Sequence, residues 1–236
     1  GISMKIYCTR NELNRAINNV SHSIPTRTPS PILEGILIET KGDRMYLTAT
    51  DTNMTIESNI SVDSEGDVSF VIEEKNFANI VNKLPEEEVL MDFNHEKNQI
   101  KINSGKSSST FNCFSADEFP RFNIGEGQKI ILSKKDIKNL IRKTSFSASA
   151  DELNGVLTGI LIELGEGNLR MVAVDTFRMA IYNAKVDTDE KLSIVVPAKL
   201  LGEVSKIISD DDNDEQLFME IVDNKVVMLF DNNRVI

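Results

Sequence analysis

Leu33-Glu34-Gly35-Ile36-Leu37-Ile38-Glu39 returns 124 positions later as Leu157-Thr158-Gly159-Ile160-Leu161-Ile162-Glu163, and the match runs on from Ala49, Asp51 and Thr52 to Ala173, Asp175 and Thr176. Nine of the 20 pairs between Leu33 and Thr52 are identical, where chance supplies roughly one or two. The register holds without insertion from residue 6 to residue 84. Solenoid repeats recur every 20–50 residues or so, so this period marks two copies of a whole domain laid end to end.

The duplication lets each local assignment be checked against its copy. Leu13, Ala16, Ile17 and Val20 recur at helical spacing, as do Ile137, Leu140, Ile141 and Thr144. Thr9 with Glu12, and Ser133 with Asp136, set a hydroxyl and a carboxylate three apart, which satisfies free amides of a first helical turn. A second helix is expected from Phe77, Ile80, Val81 and Leu84, echoed by Leu201, Val204, Ser205 and Ile208.

Strand-like runs lie at 35–40, 44–50, 55–60, 68–72, 89–93, 99–102 and 108–114, and in the second copy at 161–164, 169–174, 179–183, 192–196, 217–222 and 225–230. Lys41-Gly42-Asp43, Ser64-Glu65-Gly66-Asp67 and the stretch from Asn94 to Asn98 supply turns. The expected fold is α+β: duplicated domains spanning 4–127 and 128–236, each with two helices packed on antiparallel sheets.

The chain has 236 residues, 40% hydrophobic and 27% charged, enough for two ordinary cores. No apolar run approaches the roughly 18 residues of a membrane span, and Met4-Lys5-Ile6-Tyr7-Cys8-Thr9-Arg10 lacks the apolar segment of a secretory signal. Gly1-Ile2-Ser3 reads as an expression scar. Cys8 and Cys113, in no metal-like spacing, are expected to be reduced and mostly buried, in a cytoplasmic protein.

A net charge of -11 argues at first against a polyanionic partner, because phosphate binding draws on Lys and Arg. The charge is unevenly spread. Residues 10–21, with Arg10 and Arg15, carry +1; 73–84, with Lys75 and Lys83, carry 0; 134–145 carry +4; and 197–208 carry +1. The helices are thus +6 while the remainder is -17, which gives two electrostatic faces. Lys134, Lys138 and Arg142, four apart, form a stripe suited to phosphates, or simply a solvated helix face. No aromatic residue interrupts these faces, so stacking on single strands is not indicated.

Several sequences together resemble the β subunit of bacterial DNA polymerase III, the sliding clamp family. They are Met4-Lys5-Ile6; Arg27-Thr28-Pro29-Ser30-Pro31-Ile32-Leu33; Leu47-Thr48-Ala49-Thr50-Asp51; and Phe114-Ser115-Ala116-Asp117-Glu118-Phe119-Pro120. In the second copy they are Leu157-Thr158-Gly159 and the run Val172-Ala173-Val174-Asp175-Thr176-Phe177-Arg178-Met179.

The resemblance covers Met4 to Ile236 and implies a head-to-tail homodimer ring of three-domain subunits. Helices would line a hole around double-stranded DNA, with no catalysis, cofactor or metal. It further implies that the third domain is missing, that the second is incomplete at its end, and that this fragment is a monomer. Partners implied are DNA polymerase III alpha and clamp loader subunits, whose short peptides enter a cleft walled here by Leu157, Val174, Thr176, Phe177, Arg178 and Met179. Leu157 and Val174 equally suit core strand positions. Arg27 matches a DNA-contacting position. Lys75 sits beside another, whose own place is taken by Glu74; in the loop after Phe146, Asp151, Gly155 and Val156 replace the family's contact residues. The alternative reading is a two-domain peptide-binding scaffold that does not encircle DNA.

Catalytic and metal-binding patterns are weak. Gly105-Lys106-Ser107 lacks the leading Gly of a phosphate loop, since Ile100 stands there. The run from Asp210 to Glu215 lacks the Gly and the final Glu of a calcium loop. His22 and His95 fall in different elements. Asp51 and Asp175 occupy equivalent sites in separate domains, which favours a turn-shaping role over a catalytic dyad.

Overall fold

The computed structural model describes residues 3–121, 127–135, 138–139, 142, 159–174, 179–187, 189–208, 216–222, 225–230 and 233–236, with the backbone alone at 128–133, 174, 216–218 and 221. The chain divides into two compact units, Gly1–Asn123 with Asn232–Arg234, and Ile124–Asp231 with Val235–Ile236.

In the first unit, strands β1 (Ser3–Thr9), β2 (Gly35–Lys41), β3 (Arg44–Thr50), β4 (Thr55–Ser61), β5 (Asp63–Ser64), β6 (Ser69–Glu73), β7 (Glu88–Asn94), β8 (Gln99–Ser104) and β9 (Ser107–Asn112) accompany helices α1 (Arg10–Ser21) and α2 (Glu74–Asn82). The strands order as β4-β3-β2-β6 and as β5-β1-β7-β8-β9, and every pairing with a described register is antiparallel. Alternation sets their faces: in β8, Ile100 and Ile102 are fully buried while Lys101 between them is exposed. Phe70 of β6 and Phe93 of β7 stack at 4.7 Å between ring centroids, joining one sheet to the other.

The second unit repeats this arrangement. Strands β10 (Gln128–Ser133), β11 (Gly159–Gly165), β12 (Asn168–Val174), β13 (Met179–Lys185), β14 (Leu192–Pro197), β15 (Gln216–Val222) and β16 (Lys225–Phe230) follow in sequence, with helix α3 (Ala198–Ile207); last comes β17 (Asn233–Val235), of which Asn233 and Arg234 group with the first unit. The order β13-β12-β11-β14 copies β4-β3-β2-β6. The bounds of β2, β3 and β4 reappear 124 positions later in β11, β12 and β13.

Four strands escaped the sequence pattern: β1, β5, β10 and β17. Only Ile6 is buried along β1, so a period of two is barely visible; the strand exists because it pairs with β7 from Ser3↔Asn94 to Thr9↔Glu88. The apolar stripe of α3 also differs from expectation. Leu200, Leu201, Val204, Ile207 and Ile208 are its buried residues, and Ser205 is only half-buried.

The shared Gly35 has a steric cause. At φ -103 its backbone suits any residue, yet an added Cβ would come within 2.4 Å of Val71 Cγ1. Gly105 is different: at φ +55 it forms the tight turn between β8 and β9, which explains the Gly105-Lys106-Ser107 sequence without any phosphate loop.

Candidate nucleic-acid interface and peptide cleft

Helix α1 begins where Thr9 Oγ1 accepts from the Glu12 amide at 3.4 Å. The Glu12 carboxylate completes the cap by taking the Thr9 hydroxyl at 3.2 Å. Leu13, Ala16, Ile17 and Val20 are wholly buried, as their spacing predicts. The opposite stripe, Asn11, Arg15 and Asn18, with His22 at the C-cap, is exposed. On α2 the exposed residues are Lys75, Asn76, Asn79 and Asn82, followed by Lys83.

Neither outward stripe contributes an acidic residue of its own, although the Glu73 carboxylate before α2 reaches Asn76. The acidic residues of these helices are half-buried around the first turns, where negative charge suits the helix dipole. Glu73 accepts from Asn76 Nδ2 at 2.8 Å and Glu74 from Ser21 Oγ at 2.9 Å. Counting charge by segment therefore understates how favourable these faces are to phosphate. Arg15 and Lys83 were counted but not singled out as site residues; the signal that marks them is spacing opposite the apolar stripe.

Arg10 is a different case. Its Nη1 donates to the Leu84 carbonyl at 2.9 Å, and Nη2 lies 3.6 Å from Glu87 Oε2. This arginine ties the start of α1 to the segment after α2, a structural commitment that weakens it as a phosphate ligand. Arg27 is exposed in the loop before β2 and forms no ion pair or hydrogen bond among the described residues. Lys75 is exposed too, and the neighbouring Glu74 is turned to Ser21.

The basic stripe of the second unit needs correction. Lys134 is 6% exposed and has a partner; Lys138 is half-buried and also engaged; Arg142 is exposed. Positions four apart advance by about 40° around a helix, so a four-residue series drifts. Relative to the apolar stripe in the sequence, residue 134 sits about 70° away, 138 about 110°, 142 about 150° and 135 about 170°. Among the described residues the open cations are Lys135 and Arg142, and Lys134 does not join them. On α3, Lys206 lies 3.4 Å from Glu203 while Lys199 is exposed.

Of the cleft residues, Leu157, Thr176, Phe177 and Arg178 lie outside the described residues, and Val174 is described by its backbone alone. Met179 opens β13 at 62% exposure, in register with Val174. Asp175, Asp151, Gly155, Val156 and the acidic run from Asp210 to Glu215 also lie outside them.

Asp51 shapes a turn: its Oδ1 accepts from the amides of Asn53 at 2.9 Å and Met54 at 2.7 Å. His95 lies edge-on to Phe93. Among the described residues no three His, Cys, Asp or Glu side chains converge as a metal site requires.

Cys113 is buried and Cys8 half-buried, both free thiols. Burial pushes each from the usual 9.0 up to about 12, with the Glu12 carboxylate adding to the effect at Cys8 and a hydrogen bond with the Ile100 backbone opposing it at Cys113. Alkylation of the native protein at pH 8 is therefore expected to be slow and to become fast in denaturant. The folded state keeps protons that the unfolded chain releases above 9.0, so the thiols' contribution to stability is complete below that pH and is lost as the pH rises toward about 12. A urea midpoint that stays level across this window would contradict the assignment.

Residues 4–123 match the family model of the DNA polymerase III beta subunit N-terminal domain, and residues 131–236 match that of its central domain. The chain belongs to the DNA polymerase III beta subunit family. The beta sliding clamp of Halalkalibacterium halodurans is 34% identical over 233 residues, covering 92% of this chain and 60% of the relative. That of Bacillus subtilis is 34% identical over 236 residues, covering 95% and 61%. The crystal structure of the B. subtilis sliding clamp superposes with a TM-score of 0.93 at 31% identity, over 99% of this chain and 64% of that one. A DNA polymerase III beta subunit structure from Eubacterium rectale gives 0.92 at 32%, over 98% and 64%. The chain thus spans about three fifths of the length of these beta subunits.

Proposed function

We propose that this chain is the two-domain portion of a DNA sliding clamp, a non-catalytic ring that holds the replicative polymerase on duplex DNA. The observation that carries this reading is the absence of acidic residues from the outward stripes of α1 and α2 in a protein of net charge -11. Lysine, arginine and asparagine side chains meet phosphate without reading sequence, and diffuse attraction of this kind permits sliding. Arg27, Lys75, Arg15, Lys83, Lys135 and Arg142 are the contacts favoured by exposure, with Lys138 a secondary member. Arg10 and Lys134 hold the fold.

The ring itself is assigned to the full-length homodimer, with these two domains alone a monomer. Peptides from DNA polymerase III alpha and clamp loader subunits would enter beside Met179, in the cytoplasm. The peptide-scaffold alternative is set aside, because the relatives are themselves beta sliding clamps.

Encirclement is tested by loading the full-length product with its loader and ATP onto nicked circular DNA and then cutting the circle. Most of the protein should leave the linear molecule. Equal retention on circle and line would mean ordinary contact binding and would end the clamp reading.

A further inference from the structure

Glu74 opens α2 beside Lys75, in a pair of helices whose outward cations are Arg15, Lys75 and, just past the end of α2, Lys83. A carboxylate in a first turn suits the helix dipole, yet next to a phosphate-facing stripe it opposes the attraction that those cations supply. The repeat shows that the helix can start without it. Helix α3 begins Ala198-Lys199 at the positions that match Glu74-Lys75, 124 residues earlier.

The acid of the first unit is tethered. Ser21, the last residue of α1, lies on the flank of that helix, about 90° of arc from the middle of the buried stripe. Its Oγ stands 2.9 Å from Glu74 Oε1 and 2.6 Å from the Ile17 carbonyl, so one hydroxyl proton is shared between the carboxylate and the helix's own backbone. Ser21 is the only side-chain partner of Glu74 among the described residues. That partner is neutral. Had Lys75 or Arg15 held the carboxylate, a cation would be withdrawn from phosphate along with the anion. The neighbouring acids also end on uncharged donors, Glu12 on the Thr9 hydroxyl at 3.2 Å and Glu73 on Asn76 Nδ2 at 2.8 Å, which leaves Arg15, Lys75 and Lys83 without ion pairs among the described residues.

We infer that Ser21 is a positioning residue for the phosphate-facing surface. Its hydroxyl holds the Glu74 carboxylate against the end of α1, so that the carboxylate does not pair with Lys75 and stays away from the phosphates. The inference rests on the DNA reading given above and deepens it.

The test is fluorescence anisotropy of a labelled duplex with the full-length protein carrying Ser21→Ala, Ser21→Thr, Glu74→Gln, or Ser21→Ala together with Glu74→Gln. Ser21→Ala should weaken binding about two- to fivefold at low salt, the scale of one exposed charge interaction, and make the slope of log K against log salt shallower by up to about 0.9, one phosphate contact. Ser21→Thr, which keeps the hydroxyl, should bind as the original does. The double variant should recover the original affinity, which a role confined to ending α1 would not allow. Unchanged binding with Ser21→Ala, or a loss that Glu74→Gln fails to repair, overturns the inference. Lys75→Ala in the same series tells the two failures apart. If it weakens binding while Ser21→Ala does not, the positioning role alone falls; if neither does, the DNA reading of these helices falls with it.

Discussion

Replacing Arg15, Lys75 and Lys83 together with alanine makes the salt dependence of DNA binding by the full-length protein shallower by about 2–3 units of log K against log salt concentration. Each phosphate contact contributes about 0.9 to that slope on duplex DNA. The three side chains are exposed on or just beyond α1 and α2, and none has an ion-pair partner among the described residues. Their loss should leave folding intact. Fluorescence anisotropy of a labelled duplex across a salt series gives the slope directly, and Lys134→Ala is the informative comparison. That lysine is buried, so its removal should perturb stability while leaving the slope alone. A triple variant with the original slope would place the DNA elsewhere.

Phe70→Ala is expected to cost about 3–5 kcal/mol in the first unit, the range for removing a large buried aromatic side chain. Phe70 is fully buried, and its ring lies within 13° of parallel to Phe93, so the substitution opens a cavity where the two sheets meet. The stack itself adds about 0.5–1.5 kcal/mol beyond area burial. Domains commonly hold only about 5–15 kcal/mol in total, so this single change takes a large share. Hydrogen exchange separates the units. Protection should fall across α1 and strands β1 to β9 while β11 to β14 keep theirs, and a loss under about 1 kcal/mol would show that the cavity collapses or that the stack is dispensable.

Much of the fold was legible because its causes are local. The buried stripe of α1 follows from a period of 3.6, and the β2, β3 and β4 bounds reappear in β11, β12 and β13 because the same alternation was copied 124 positions on. The proposed peptide cleft rests on family resemblance alone, since nothing in the spacing of Val174 or Met179 distinguishes a groove wall from a core strand. The basic stripe was misread at Lys134, because a four-residue series drifts around the helix and a like-charge pattern carries no information about which member faces inward. The engagement of Arg10 was illegible for another reason: its partners, Leu84 and Glu87, are more than 70 positions away in sequence.

The sequence by itself determined the duplication, the α+β class, the Thr9–Glu12 cap, the β7–β8 turn and the excess of positive charge on the helices. All of these depend on neighbours a few residues apart or on one segment being compared with another. Only the tertiary structure decided that β1 is a strand, that the Glu74 carboxylate is turned to Ser21 and that Lys134 is buried. Each of these depends on which distant backbone comes to lie alongside, and periodicity within a segment holds no record of its partner in space.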